Sequence, residues 1–437
     1  MKTLSISTVL FVLALRVALA ADNPAPNVIA DPHRAAEPRG ERPPIVILPG
    51  APGTELIDSR TGERVWPSAA LMTKKDGNAV LALPIDDPES SPIVAGGLLR
   101  AVHVAGLKFP IHAYGGLEKR LHELGYREGD WASPAGSGEY YYFTYDWRQS
   151  IETNGRGFSR ALDALYARAP SRTPPAIVLG HSLGGMIARY ALMYGDAPLG
   201  ATGPLPPVTW AQAAHIARLF LVATPNEGTF LALQRLEKGI FYRRGRGAFS
   251  PETLFTYPSV FDMIPARPAP LVDRDGKPLP FDLDNAEDWE RLGWSILDPD
   301  ADSRIPYPER RLHLAVELAR IERMRAALSQ RGSTPNPATL YAVGSLSRSV
   351  QRTALLSDSS RGIKVRFEAP PASRSRLNPL LFEPGDAMVP LSSLKAESSD
   401  HDPAGSLGFA RVLESKRKHG DLLSSPETLE ALGEALK

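Results

Sequence analysis

One stretch constrains this chain more than any other: Pro174–Tyr194, reading P-P-A-I-V-L-G-H-S-L-G-G-M-I-A-R-Y-A-L-M-Y. Two prolines interrupt whatever precedes it, and Ala176–Leu179 is a short, wholly apolar run suited to a buried parallel strand. Next comes Gly180-His181-Ser182-Leu183-Gly184, a complete G-x-S-x-G. Beyond it Ile187, Tyr190, Ala191 and Tyr194 fall at i, i+3, i+4 and i+7, one face of a helix, and Gly195 stands where a C-terminal cap belongs. Strand, sharp turn and helix in that order lift a serine Oγ clear of a sheet, the arrangement of a nucleophile elbow. So tight a turn leaves no room for side chains two positions either side of the serine, which is a steric reason for both glycines. Ser182 is the expected nucleophile.

The rest of the chain supplies a sheet for that turn. Ile45–Leu48 is a second apolar strand, running into the glycine-rich Pro49-Gly50-Ala51-Pro52-Gly53-Thr54. Leu117, Leu121 and Leu124 mark a helix over Gly115–Gly125, Tyr140–Thr144 reads as a strand, and Phe158, Ala161, Leu162 and Leu165 mark the helix that returns to Ala176. Leu219–Val222 is a further strand, and Thr339–Val343 and Ile363–Phe367 are expected as later core strands. Strands alternating with helices, the serine at a central strand exit, predict a doubly wound, mostly parallel α/β sheet. Two stretches break the alternation: 57–112, with no sustained period, and 231–337, which contains helices near Leu231–Leu236 and Leu312–Leu328 and a basic stretch at Arg243, Arg244 and Arg246. An insertion of the second kind is expected to cap the site, and the first to act as a flap or as peripheral packing.

Residues 1–20 carry the marks of a secretory signal: Lys2, the apolar stretch Val9–Leu15 and Ala18-Leu19-Ala20 as a cleavage site. Residues 21–42 are rich in Ala, Pro and Arg without periodicity, as in a flexible linker. The chain of 437 residues has no cysteine, so disulfides and thiolate metal sites are excluded. Fifty Lys and Arg against 49 Asp and Glu leave a charge of +1, with no global field for nucleic acid or an anionic membrane. An exported bacterial protein, periplasmic or extracellular, is the expectation.

A serine nucleophile needs a histidine to take its proton, and the histidine needs a carboxylate to hold its tautomer. In α/β-hydrolases these follow the serine as Asp and then His. Asp386, in Pro384-Gly385-Asp386-Ala387-Met388-Val389-Pro390, and His419, before Leu422-Leu423, meet that order. His401, in a Ser/Asp loop without apolar support, competes as base, and Asp358 as acid. The oxyanion donors would be the backbone N–H of Leu183 and one from Gly50, Ala51 or Gly53, since Pro49 and Pro52 have none. Asp298, Asp300, Asp302 and Glu309 fall at positions one, three, five and twelve of a calcium loop, but Ser303 replaces the glycine at position six, so a solvated acidic loop is expected. No metal or cofactor is called for.

Taken together, these motifs resemble lecithin:cholesterol acyltransferase and its relatives, including the lysosomal phospholipase. The resemblance rests on Leu48-Pro49-Gly50 leading to Glu55-Leu56, on Trp66, on Gly125-Tyr126, on Tyr145-Asp146-Trp147-Arg148, on Gly180–Gly185 and on Gly385–Pro390. It spans residues 43–423. It implies an α/β-hydrolase core in two parts, 43–230 and 338–437, with 231–337 as cap or lid. It also implies an acyl-enzyme on Ser182, acyl transfer to water or an alcohol, and Ala51 as the oxyanion position. A lipid ester, foremost a glycerophospholipid, is the implied substrate, with transient contact to a membrane or micelle surface and no nucleic acid partner. Two departures stand out: the cysteines that pin the lid in mammalian relatives are missing, and Ala387-Met388 replaces a Gly-Thr pair. The alternatives are a general carboxylesterase or triacylglycerol lipase on the same machinery, and a silent α/β-hydrolase fold that binds lipid or protein.

Overall fold

The computed structural model describes residues 41–437 apart from 69–70, 72–76, 101–102, 105–106, 109–113, 241–248, 266–270, 280, 360–361, 370–372 and 398–406. The signal and linker readings for 1–20 and 21–42 therefore fall almost entirely outside it, as do Arg243, Arg244, Arg246 and His401.

The core begins with β1 (Ile45–Leu48), four apolar residues that are all buried, which only an interior strand can be. In chain order follow α1 (Gly115–Glu123), β2 (Arg127–Glu128), β3 (Glu139–Tyr142), α2 (Ile151–Arg168), β4 (Ala176–His181) and α3 (Leu183–Tyr194). Then come β5 (Ile216–Val222), α4 (Tyr307–Ser329), β6 (Thr339–Ser345), β7 (Phe409–Ser415) and α5 (Pro426–Ala435). The seven strands form one sheet in the order β7-β6-β5-β4-β1-β3-β2. Every pair in it is parallel. Parallel strands need crossovers, and these place α2 and α3 with one apolar cluster and α1 and α5 with another, so both faces are covered. This is the α/β-hydrolase fold, and β4, the strand that ends at Ser182, lies at its centre.

Among the described residues four smaller sheets stand outside the seven strands, and three of them matter here. Thr54–Asp58 pairs antiparallel with Arg64–Trp66 and with Ile93–Leu98, so the described part of 57–112 is built as an outwork of the turn after β1. Arg348–Gln351 pairs antiparallel with Phe382–Gly385 and delivers the chain to Asp386.

The last of the three corrects an expectation. Ile363–Phe367 is not a core strand: Gly362–Arg366 pairs with Leu355–Ser359 in a separate four-stranded sheet that also holds Leu271–Val272 and Pro278–Leu279. Its place in the core is taken by β7, which reads Phe-Ala-Arg-Val-Leu-Glu-Ser and is mostly exposed along its length. An apolar run says that a strand is half-buried, not which sheet buries it.

Within the residues of the cap reading, Pro251–Phe255, Pro258–Asp262, Ala286–Leu292 and α4 are helical. No helix among the described residues is long and apolar enough to cross a membrane.

Candidate active site

Ser182 joins β4 to α3 with φ 53° and ψ −123°. A serine in this region costs on the order of 1–3 kcal/mol, so the surroundings must hold it there. The Ser182 N–H donates to the Val222 carbonyl at 2.8 Å, and its carbonyl accepts from Gly185 N–H at 3.0 Å. The flanking glycines are required by contact. A Cβ on Gly180 would lie 2.4 Å from Gly185 Cα, and one on Gly184 would lie 2.6 Å from the Leu48 carbonyl oxygen and 2.7 Å from that of Pro49. The elbow is thus pressed directly against the exit of β1.

That exit is the turn Pro49–Gly53, whose donors can be sorted one by one. Gly53 N–H donates to the Gly50 carbonyl at 2.6 Å. The Tyr114 hydroxyl lies beside this turn; burial pushes that phenol up, and the Gly50 backbone partly offsets the push. Gly50 and Ala51 are the turn residues, among those described, whose N–H is not spent on a backbone carbonyl. The turn is held from behind by Tyr145, whose hydroxyl donates to the Pro49 carbonyl at 2.5 Å, and by Trp147, whose Nε1–H donates to the Thr54 carbonyl at 3.1 Å. Leu183, the other expected donor, is the first residue of α3, where helix geometry leaves N–H groups without intrahelical partners.

Asp386 and His419 come together from separate arms of the chain. Asp386 is 1% exposed; its Oδ1 accepts from Met388 N–H at 2.9 Å and Val389 N–H at 2.7 Å. Ala387 takes φ 85° to make that loop close. Asp386 Oδ2 accepts from His419 Nδ1–H at 2.8 Å, and His419 N–H donates to the Asp386 carbonyl at 3.2 Å. Burial alone would raise the Asp386 carboxyl; the adjacent imidazole, its hydrogen bond and the two N–H donors outweigh it and hold the group below its usual value. His419 opens a short 3₁₀ turn whose Leu422 and Leu423 are fully buried, the apolar anchor expected of them. With Nδ1–H given to the carboxylate, the neutral ring presents Nε2 as a base.

His181 was not among the residues singled out, although it is the variable position of the motif itself. It is buried, its Nε2–H donates to the His419 carbonyl at 3.0 Å, and the two imidazole centroids lie 5.0 Å apart. Burial first, and the neighbouring His419 second, push it down to about 3, so it stays neutral. From the position beside Ser182, His181 is therefore linked through His419 to Asp386. Asp358, the rival acid, stands on the strand Leu355–Ser359 of the outer four-stranded sheet.

Among the described residues no group of three or more His, Asp or Glu is placed to hold a metal ion. In the 298–309 loop Asp298 Oδ1 accepts from Asp300 N–H at 2.9 Å, a turn contact.

Residues 111–254 match the family model described as lecithin:cholesterol acyltransferase. The family resemblance is to lecithin:cholesterol acyltransferase. The match takes in Tyr145-Asp146-Trp147-Arg148 and the whole Ser182 elbow, while Asp386 and His419 lie beyond it. An uncharacterized protein of Saccharomyces cerevisiae, YJR098C, is 25% identical over 262 residues; these are 58% of this chain and 34% of the yeast protein, so the chain spans about a third of that relative. Among solved structures, the Tle4-Tli4 complex contains a chain with TM-score 0.50 and 14% identity, covering 91% of this chain and 96% of its own. Bacillus licheniformis lipase BlEst2 in mature form follows with TM-score 0.35 and 11% identity, covering 93% and 96%. The chain has the α/β-hydrolase fold and, over residues 111–254, is similar to the lecithin:cholesterol acyltransferase family.

Proposed function

We propose that this protein is an exported serine acylhydrolase or O-acyltransferase acting on lipid esters, with glycerophospholipids as substrate. The observation that supports it most is the His419 Nδ1–H to Asp386 bond, made by an imidazole segment tied to the residue next to Ser182. Ser182 Oγ attacks the ester carbonyl carbon while His419 Nε2 takes the hydroxyl proton. The N–H groups of Ala51 and Leu183 receive the oxyanion; one such donor is worth about two to three powers of ten in rate. As the tetrahedral adduct collapses, the imidazolium returns its proton to the leaving alkoxide, here the lysolipid alcohol. Water or a second alcohol then gives a proton to His419, attacks the acyl-Ser182 and regenerates the hydroxyl. Asp386 keeps the ring in one tautomer and stabilises its cation without itself becoming protonated.

The test combines a fluorophosphonate probe with product analysis. Ser182→Ala is expected to lose labelling and to drop turnover by about 10⁴-fold or more, with the fold retained by circular dichroism. Unchanged labelling removes Ser182 from the chemistry. Mass spectrometry of products from defined phosphatidylcholine, a triacylglycerol and p-nitrophenyl esters, with and without a sterol, decides substrate and acceptor. Turnover of the neutral esters alone overturns the phospholipid assignment, and lipid retention without turnover overturns the enzymatic one. Export is proposed on the apolar run Val9–Leu15 and the Ala18-Leu19-Ala20 site. A mature N-terminus at Ala21 would support it and an intact Met1 would refute it.

A further inference from the structure

His181 is doubly constrained. On one side its Nε2–H donates to the His419 carbonyl at 3.0 Å. On the other its Nδ1 lies 2.7 Å from the position a Cβ would take on Gly50, in the turn that carries Ala51. It follows Gly180 on the innermost strand, so its backbone has little freedom to move. One imidazole thus touches the segment that carries the base and the turn that carries the oxyanion donor, from the position beside Ser182. We propose that His181 is a positioning residue: through the His419 carbonyl it fixes where the base stands relative to Ser182 Oγ. This rests on the Ser182–His419–Asp386 reading above.

The physical case is one of reach and charge. A donor is required, because the His419 carbonyl is buried and would otherwise lack this partner. The donor must also be neutral. The neighbouring imidazole becomes a cation in each half-reaction, and a second positive ring at 5.0 Å would oppose it. His181 meets both demands, since burial holds it neutral far below the working range. Its Nδ1, without a proton in this tautomer, has no protein partner. Only the Nε2 side makes the tie.

The test uses three variants of the full chain. His181→Gln places an amide N–H near the Nε2 position, His181→Asn places one near Nδ1, and His181→Leu places none. Expected are kcat values within about threefold of the parent for His181→Gln, and kcat reduced about 10- to 100-fold for the other two with KM little changed. The downfield proton resonance of the His419 Nδ1–H···Asp386 bond reads position directly. It is expected unchanged in His181→Gln and shifted or lost in His181→Leu and His181→Asn. A purely structural role would lower the unfolding midpoint without moving that resonance or kcat per labelled serine. If His181→Leu or His181→Asn keeps parental kcat and resonance while the parent still labels at Ser182, the positioning role is overturned and the catalytic reading stands. If the parent itself does not label, the failure belongs to the catalytic reading.

Discussion

At the scale of single residues, two buried ionisable groups bear on the site in opposite electrical states. Asp386 is kept charged by three donors, while His181 is kept neutral by exclusion of water. The His181 state has a consequence for stability. Its folded pKa of about 3 lies below the ordinary 6.5, so between those values the unfolded chain binds a proton the folded one does not. Stability from this group is therefore complete above about pH 6.5 and falls as the pH drops towards 3, by roughly 1.4 kcal/mol per pH unit at most. Asp386 acts with the same sign but lower, its contribution being lost as pH falls from its ordinary value through its depressed one. In urea titrations between pH 4.5 and 6.5, His181→Gln is expected to flatten the slope of stability against pH by about 1 kcal/mol per unit. Parallel slopes in parent and variant would show that His181 is protonated in the folded state.

At the scale of elements, the contact that matters most is that between the elbow and the exit of β1. Gly184 faces the Leu48 and Pro49 carbonyls with no space for a methyl group, and Tyr145 holds the same Pro49 carbonyl from the far side. Gly184→Ala must push α3 and the Ala51 turn apart. It is expected to lower kcat at least 100-fold and to destabilise by about 1–3 kcal/mol. Tyr145→Phe removes only the bond to Pro49, with about 1–3 kcal/mol lost for a buried acceptor left without its partner and a smaller fall in kcat. Fluorophosphonate labelling rates set beside denaturation midpoints separate the two; equal rates in Gly184→Ala and parent would disprove the contact. The same elements explain what could be read in advance. β1 and β4 are buried on both faces and appear as unbroken apolar runs, so their existence and the elbow were legible. β7 has most of its side chains exposed and β2 is two exposed residues, so neither left an apolar trace. Ser182 was legible because its turn demands glycines locally. Asp386 and His419, 33 residues apart, were legible only as an order along the chain. His181 was passed over because its partner carbonyl is 238 residues away, a separation no local pattern encodes.

At the scale of the whole molecule, the motif Tyr145-Asp146-Trp147-Arg148 works as a junction. Tyr145 and Trp147 brace the turn after β1, and Arg148 joins the parts outside the sheet. The Arg148 guanidinium is fully buried. It makes two bonds to Asp146, at 2.9 and 2.6 Å, and also donates to the Leu81 carbonyl at 3.0 Å and the Ile93 carbonyl at 2.6 Å. The Arg148 and Trp147 carbonyls accept from Ser259 N–H and Oγ–H, which lie in the helix Pro258–Asp262 within the 231–337 stretch. Leu83 N–H in turn donates to Thr256 Oγ1 at 2.9 Å, so the two stretches that interrupt the α/β alternation are fastened to each other as well as to the core. Removing the guanidinium takes this partner from a part-buried carboxylate and two carbonyls at once. Arg148→Met is therefore expected to cost about 3–5 kcal/mol and to loosen the chain around Leu81–Ile93 before the sheet itself opens. Limited proteolysis read by mass spectrometry should find the first new cuts there, while the remaining uncut protein still labels at Ser182. First cuts in β4 or α3 instead, or a midpoint equal to the parent's, would mean that Arg148 is not what binds these parts together.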